Sequence, residues 1–120
     1  MKKLFLIGVL FIVAAWLVFH FISARSAVVT LENLIGRGYA EVQSENFYSE
    51  PDEHYSINVN QPLNELHGGI LHKKPLLTDS LVQVYTWKNV THTTTLWVGK
   101  TSTAEDEVID AIRYRYDVRF

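Results

Sequence analysis

The chain opens with a long run of apolar side chains. From Leu4 to Ile22 no residue carries a formal charge, and only Gly8 and His20 depart from the apolar character. At about 1.5 Å per helical residue, such a run is long enough to cross the roughly 30 Å hydrocarbon core of a bilayer. A helix in a small soluble domain needs a polar face, and this run has none. The pattern therefore predicts a membrane-spanning or secretory helix.

The charges that flank this run predict its orientation. Lys2 and Lys3 precede it and Arg25 follows it, so the positive-inside rule places the amino terminus in the cytoplasm. We expect a signal-anchor transmembrane helix in residues 1–22, a linker in 23–27 and an extracytoplasmic domain in 28–120. The membrane would be the inner (plasma) membrane, with the domain periplasmic or extracellular. Cleavage is the alternative, because Ala24-Arg25-Ser26 has the small-x-small form of a signal-peptidase site.

Alternating positions later in the chain predict a β-hairpin. Leu81–Trp87 and Thr93–Gly99 are rich in β-branched and aromatic residues, and Lys88–His92 joins them. A five-residue loop would place Val82 opposite Val98, and Val84 opposite Leu96, on the core face. The other face of the hairpin would then carry three aromatic side chains: Tyr85, Trp87 and Trp97. A slip of one residue in this pairing would exchange the faces.

Weaker patterns predict the elements before the hairpin. Thr30 is placed to cap a short helix that Gly36 stops, and Tyr39–Tyr48 alternates loosely, which indicates a strand. His54–Asn60 alternates more clearly and predicts a half-buried strand. Pro62–His67 has the composition of a short helix.

The end of the chain predicts a helix followed by a strand. Ser102 and Glu105 have the spacing of a capping box, and an apolar stripe of Val108, Ile109 and Ile112 follows. From Ile112 to Phe120 apolar and charged residues alternate strictly, as in a strand with one buried face. The sequence therefore predicts an α+β fold: an N-terminal transmembrane helix, then a small, mostly antiparallel sheet with a C-terminal helix and a final strand.

The last seven residues, Tyr114–Phe120, resemble the closing strand of bacterial outer-membrane β-barrels, which alternates apolar residues and ends in Phe. The resemblance covers only this segment. Residues 28–120 are too few for eight spanning strands of about 9–11 residues with their turns. We therefore expect an ordinary closing strand of the domain.

The charge balance excludes some classes of partner. After Ile22 the chain has 9 basic and 13 acidic residues, a net charge of −4. Between Gly38 and His72 there are six carboxylates and no Lys or Arg: Glu41, Glu45, Glu50, Asp52, Glu53 and Glu65. Nucleic-acid binding depends on Lys and Arg that neutralise phosphates, so we expect no nucleic-acid partner. The chain has no cysteine, which excludes disulfides.

No motif in the chain selects a catalytic or metal-binding group. The histidines of the domain, at positions 54, 67, 72 and 92, match no established zinc spacing. Serine, threonine and aspartate residues are present, but no nucleophile motif singles one out. We therefore predict a non-enzymatic protein without a cofactor or metal.

The prediction for function is a single-pass, membrane-anchored interaction module of a bacterial or phage envelope. It would be an accessory, assembly or inhibitor/immunity-type protein with an envelope protein as its partner. Two groups of residues are the candidate contact surface: the rings Tyr85, Trp87 and Trp97, and the acidic residues Glu41, Glu45, Glu50, Asp52 and Glu53. The alternative is a secreted small-molecule or metal-binding domain released by signal cleavage, with hydrolysis as a further option. A third class is a structural envelope component without a discrete partner.

Overall fold

The apolar run forms a single helix. The computed structural model describes residues 2–25, 27–118 and 120, and the side chains of all of these except 21–25. Helix α1 covers Lys2–Arg25, and its side chains from Lys2 to His20 are all exposed. It is the one helix in the described part of the chain that is long and apolar enough to span a membrane, a property that signal sequences share. The helix includes residues 23–25 of the predicted linker, and Ser26 of the candidate cleavage site lies outside the described residues.

The remaining residues form an antiparallel sheet with short helices, which confirms the α+β class. The elements after α1 are β1 (Val28–Thr30), the 3₁₀ helix η1 (Glu32–Leu34), α2 (Tyr39–Asn46), β2 (Glu53–Asn58), α3 (Glu65–Gly68), the 3₁₀ helix η2 (Gly69–Leu76), β3 (Leu77–Lys88), β4 (His92–Thr101) and β5 (Glu107–Arg115). The strand order is β1-β5-β4-β3-β2, and every neighbouring pair is antiparallel.

Short helices cover both faces of this sheet. On the face that we call the α2 face, η1 and α2 pack on a cluster whose buried members are Leu34, Val42, Trp87, Leu96, Val98, Val108 and Ala111. On the opposite face, which we call the α3 face, residues around α3 and η2 pack on a second cluster. Its buried members are Val59, Ile70, Val82, Val84, Trp97 and Ile109. The central strands are buried on both sides, and removal of this apolar area from water is the main stabilising contribution available to a domain without disulfides.

The predicted hairpin is present, but its predicted register is wrong by one residue. Strands β3 and β4 pair with Val82 opposite Gly99 and Tyr85 opposite Leu96. The connection is shorter than predicted, because Lys88 already pairs with Thr93 and the Asn89 N–H donates to the His92 carbonyl over 2.8 Å. Side chains alternate between faces with period two, so this one-residue difference changes which residues share a face.

The predicted C-terminal helix is also wrong, because strand β5 already begins at Glu107. Residues 102–106 form a loop in which the Thr101 hydroxyl accepts from the backbone N–H groups of Thr103 and Ala104, each over 3.2 Å. Polar side chains of this kind bind nearby backbone in loops as readily as at helix starts, so the capping pattern did not distinguish the two. Val108 and Ile109 are adjacent and both buried because β5 is covered on its two faces. The predicted strand from Ile112 ends early, at Arg115.

The loosely alternating segment from Tyr39 is a helix rather than a strand. Helix α2 follows Gly36, whose φ of 88° suits the residue that has no side chain. Val42 is fully buried, and Tyr39 and Phe47 pack against the same cluster. The strand predicted at His54–Asn60 is present as β2, but it ends at Asn58, and the prediction that it is half-buried is wrong, because this edge strand is mostly exposed. The short helix after Pro62 is confirmed as α3, capped by Asn64.

Candidate functional site

The structure separates the three aromatic rings that the sequence placed on one face. Trp87 and Tyr85 belong to the α2 face, where Trp87 is 4% exposed and Tyr85 is half-buried. Trp97 belongs to the α3 face and is 1% exposed. The expected three-ring surface therefore does not form, because the register places Trp97 opposite Val84 instead of beside Tyr85.

On the α2 face the aromatic rings form stacks between helix and sheet. The ring centres of Phe47 and Trp87 are 3.8 Å apart, and those of Tyr39 and Tyr85 are 4.1 Å apart. The Trp87 indole N–H donates to the Ser49 carbonyl over 3.0 Å. Burial raises the pKa of Tyr39 to about 12, and the nearby Tyr85 and Glu50 add to this increase. These rings hold α2 on the sheet, which makes them part of the core.

On the α3 face a histidine joins the core. His67 is 6% exposed, and its Nδ1 accepts a hydrogen bond from the Trp97 indole N–H over 3.0 Å. An indole can only donate, so Nδ1 carries no proton and the neutral ring carries its proton on Nε2. Nε2 therefore donates to the Tyr55 hydroxyl, 2.9 Å away. Burial lowers the pKa of His67, which agrees with a neutral ring.

This arrangement leaves His67 no free lone pair. Both of its ring nitrogens are engaged within the protein, so His67 is available neither as a general base nor as a metal ligand in this conformation. The other described histidines of the domain are exposed or partly exposed; His54 bonds the Gln83 side chain and His92 bonds Thr91. Across the described residues, no group of three or more His, Asp or Glu side chains is placed to hold a metal ion.

The acidic residues remain on the surface, and part of their charge is paired. Glu41 and Glu45 on α2 both accept from the Arg37 guanidinium. Glu53 pairs with the Lys88 ammonium over 2.6 Å, and the Asp52 carboxylate accepts from the Lys88 backbone N–H over 2.6 Å. Five carboxylates, including exposed Glu50, face two cations, so this region keeps three negative charges.

Sequence reasoning missed one aromatic residue in this region. Tyr48 lies between α2 and β2, next to the acidic residues along the chain, and its side chain is fully exposed. It follows Phe47, which is packed in the core. The sequence did contain a signal for this exposure: no apolar residue lies at helical or strand spacing from Tyr48. Such a residue belongs to no apolar face, and at a turn its side chain is free to point into solvent.

Comparison of the chain with family models, with curated proteins and with solved structures gave no significant match.

Proposed function

We propose that this protein is a membrane-anchored, non-enzymatic interaction module whose folded domain lies outside the cytoplasm. The observation that carries the proposal is the contrast between α1 and the rest of the chain. Residues 4–20 of α1 expose apolar side chains along the helix, whereas the domain buries two apolar clusters of its own. A domain that completes its core without α1 leaves that helix free for a bilayer.

The surface that we assign to the partner is the acidic surface, defined as Tyr48 with Glu41, Glu45, Glu50, Asp52 and Glu53. Its net negative charge favours a basic partner, since complementary charge accelerates encounter and excludes partners of like charge. An exposed tyrosine beside these charges supplies rigid contact area with little loss of conformational freedom. Anchoring confines the domain near targets in the same membrane, so a weak contact would suffice.

The anchor is tested by intact mass and protease accessibility. We expect the protein from bacterial membranes to retain residues 1–22, and external protease on spheroplasts to digest the domain. A soluble mature chain that begins near Ala27 would instead support the secreted alternative. Protection of the domain in spheroplasts would contradict the proposed orientation.

The contact surface is tested by photo-crosslinking in cells from position 48. We expect a discrete adduct that the double variant Glu45→Lys/Glu50→Lys abolishes. Glu105→Lys, an exposed carboxylate in the loop between β4 and β5, is the matched control and should leave the adduct unchanged. An adduct equally strong in both variants would show that the acidic surface does not select the partner.

A further inference from the structure

One end of the sheet is tied by chain length to the end of the membrane helix. Helix α1 ends at Arg25 and β1 begins at Val28. Three Cα–Cα steps separate these residues, so they lie within about 11 Å of each other. If α1 spans a bilayer, the end of the sheet where β1 starts therefore lies next to the lipid headgroups.

Backbone hydrogen bonds bring two other segments to this same end. The Arg115 N–H donates to the Ala27 carbonyl over 2.9 Å, and the Tyr116 N–H donates to the Thr91 carbonyl over 3.1 Å. The start of β1, the end of β5 and the loop between β3 and β4 are thus neighbours. We call this set, residues 27–28, 89–91, 116–118 and Phe120, the proximal end.

Large apolar and aromatic side chains of the proximal end are exposed. Val90 is 94% exposed, Tyr116 is 73% exposed, and Phe120 and Val28 are each about half exposed. The Phe120 and Tyr114 rings pack edge to face with their centres 5.1 Å apart, which holds Phe120 against the sheet. Exposed aromatic and aliphatic residues next to a membrane span are typical of side chains in the interfacial region of a bilayer.

A cleft shared with α1 places this end at the level of the last turns of the helix. Trp16, Phe19 and His20 line a cleft of about 270 Å³ together with Thr91, His92 and Tyr116. The cleft also includes Arg115 and Asp117, which pair with each other over 2.6 Å. Because Trp16 and Phe19 belong to the apolar run, their domain neighbours lie at the depth of the interface and not far above it.

We propose that the proximal end is a lipid-contact surface that inserts Val90, Tyr116 and Phe120 into the interfacial region of the bilayer holding α1. This inference rests on the proposed anchor. We expect this contact to depend on apolar side chains and not on attraction to anionic lipid. Asp52 and Glu53 lie at the same end of the sheet, beside Lys88, and carboxylates disfavour anionic headgroups. Zwitterionic lipid is therefore sufficient, and anionic lipid does not strengthen the contact.

The test uses the full chain in phosphatidylcholine vesicles, with one environment-sensitive fluorophore at a time. The chain contains no cysteine, so Val13→Cys, Val90→Cys and Leu76→Cys each give a single labelling site. Leu76 is the matched control: it is 55% exposed and precedes β3, on the order of 35 Å along that strand from Val90. The readouts are quenching by lipid-borne spin labels and by a water-soluble quencher.

We expect spin-labelled lipid to quench the fluorophores at positions 13 and 90. The fluorophore at position 90 should respond only to spin labels located near the headgroups. Aqueous quenching at position 90 should be several-fold weaker than at position 76. If positions 90 and 76 are equally exposed to water while position 13 is still in lipid, the inference is overturned and the anchor stays intact. Protection of position 90 without lipid quenching would also overturn it, because a protein contact would then cover the surface. A position 13 label outside the bilayer would refute the anchor and this inference together.

Discussion

The two faces of the sheet each bury a tryptophan, but they satisfy its indole N–H differently. On the α2 face, Trp87 donates to the backbone carbonyl of Ser49. On the α3 face, Trp97 donates to the imidazole of His67. A backbone carbonyl cannot titrate in the physiological range, whereas an imidazole can. The comparison indicates that between about pH 5 and pH 8 the tryptophan hydrogen bond of the α2 face is independent of pH, whereas that of the α3 face depends on it.

The largest effect should come from removal of Trp97. Trp97→Ala leaves a cavity in the α3 face and removes the donor to His67 Nδ1, so we expect a loss of about 3–5 kcal/mol in the free energy of unfolding. Urea titration of the full chain in detergent, followed by far-UV circular dichroism, measures it. Trp16→Ala, at an exposed position of helix α1, is the control. A loss below that of an exposed substitution would show that Trp97 is not part of the core.

A pair of smaller substitutions compares the indole N–H groups directly. Trp97→Phe and Trp87→Phe keep most of the apolar volume and remove one hydrogen bond each. Trp97→Phe leaves buried His67 Nδ1 unsatisfied at about 1–3 kcal/mol, whereas Trp87→Phe frees the carbonyl of exposed Ser49, which water can reach, so its cost should be smaller. We expect both to weaken the fold at pH 8, and only Trp97→Phe to change how stability depends on pH. Identical pH profiles for the two variants would contradict the difference between the faces.

The backbone conformation just before helix α2 depends on Gly36. Its φ of 88° lies in the left-handed region, so Gly36→Ala should cost about 1–2 kcal/mol through backbone strain alone. Gly38→Ala is the matched control, because Gly38 has a φ of −68° and open space around an added Cβ. Urea midpoints of the two variants measure the difference. Equal costs would show that the left-handed backbone at position 36 adds no strain, since an added Cβ meets nothing within 4 Å at either position.

Mild acid should weaken the α3 face. Burial places the pKa of folded His67 below the ordinary 6.5, so the unfolded chain takes up this proton first. The stabilisation from neutral His67 is therefore complete above pH 6.5 and declines as the pH falls toward the lower folded pKa. Protonated Nδ1 would also face the Trp97 N–H, donor against donor. The urea concentration at the unfolding midpoint should therefore decrease when the pH is lowered from 7.5 to 5.

Two variants isolate the contribution of His67 to this pH response. His67→Gln should reduce the decline in the urea midpoint, since an amide can accept from Trp97 and donate to Tyr55 without titrating. His54→Gln, at an exposed histidine on the opposite side of the sheet, should leave the decline unchanged. A decline of the same size in His67→Gln would assign the response to other groups.

Local patterns were sufficient for some elements and not for others. The uncharged run predicted α1, because length and composition alone decide whether a helix can cross a bilayer. Alternation predicted β2 and the β3–β4 pair. The capping pattern at Ser102 failed, since the neighbouring Thr101 hydroxyl binds the backbone of a loop before β5 instead. The strand prediction for residues 39–46 failed because this segment has one fully buried residue, Val42, and a single buried residue cannot show a helical period.

The candidate site shows the same division. The acidic residues were predicted to be exposed and are, because charged side chains are rarely buried without a partner. The ring surface was not predictable, because its existence depended on the register of β3 against β4, which the short connection after Lys88 sets. The role of His67 was beyond sequence reasoning, because its partners Tyr55 and Trp97 are 12 and 30 residues away.

What the sequence by itself determined is therefore the apolar N-terminal helix, the α+β class and the acidic exterior, all properties of composition and short-range period. Tertiary structure alone decided which face each aromatic residue occupies, which histidine is buried, and which apolar side chains are left at the end of the sheet nearest α1. These depend on register and on contacts between distant segments. Such contacts form only where the packing of the whole domain offsets the entropy lost in bringing those segments together.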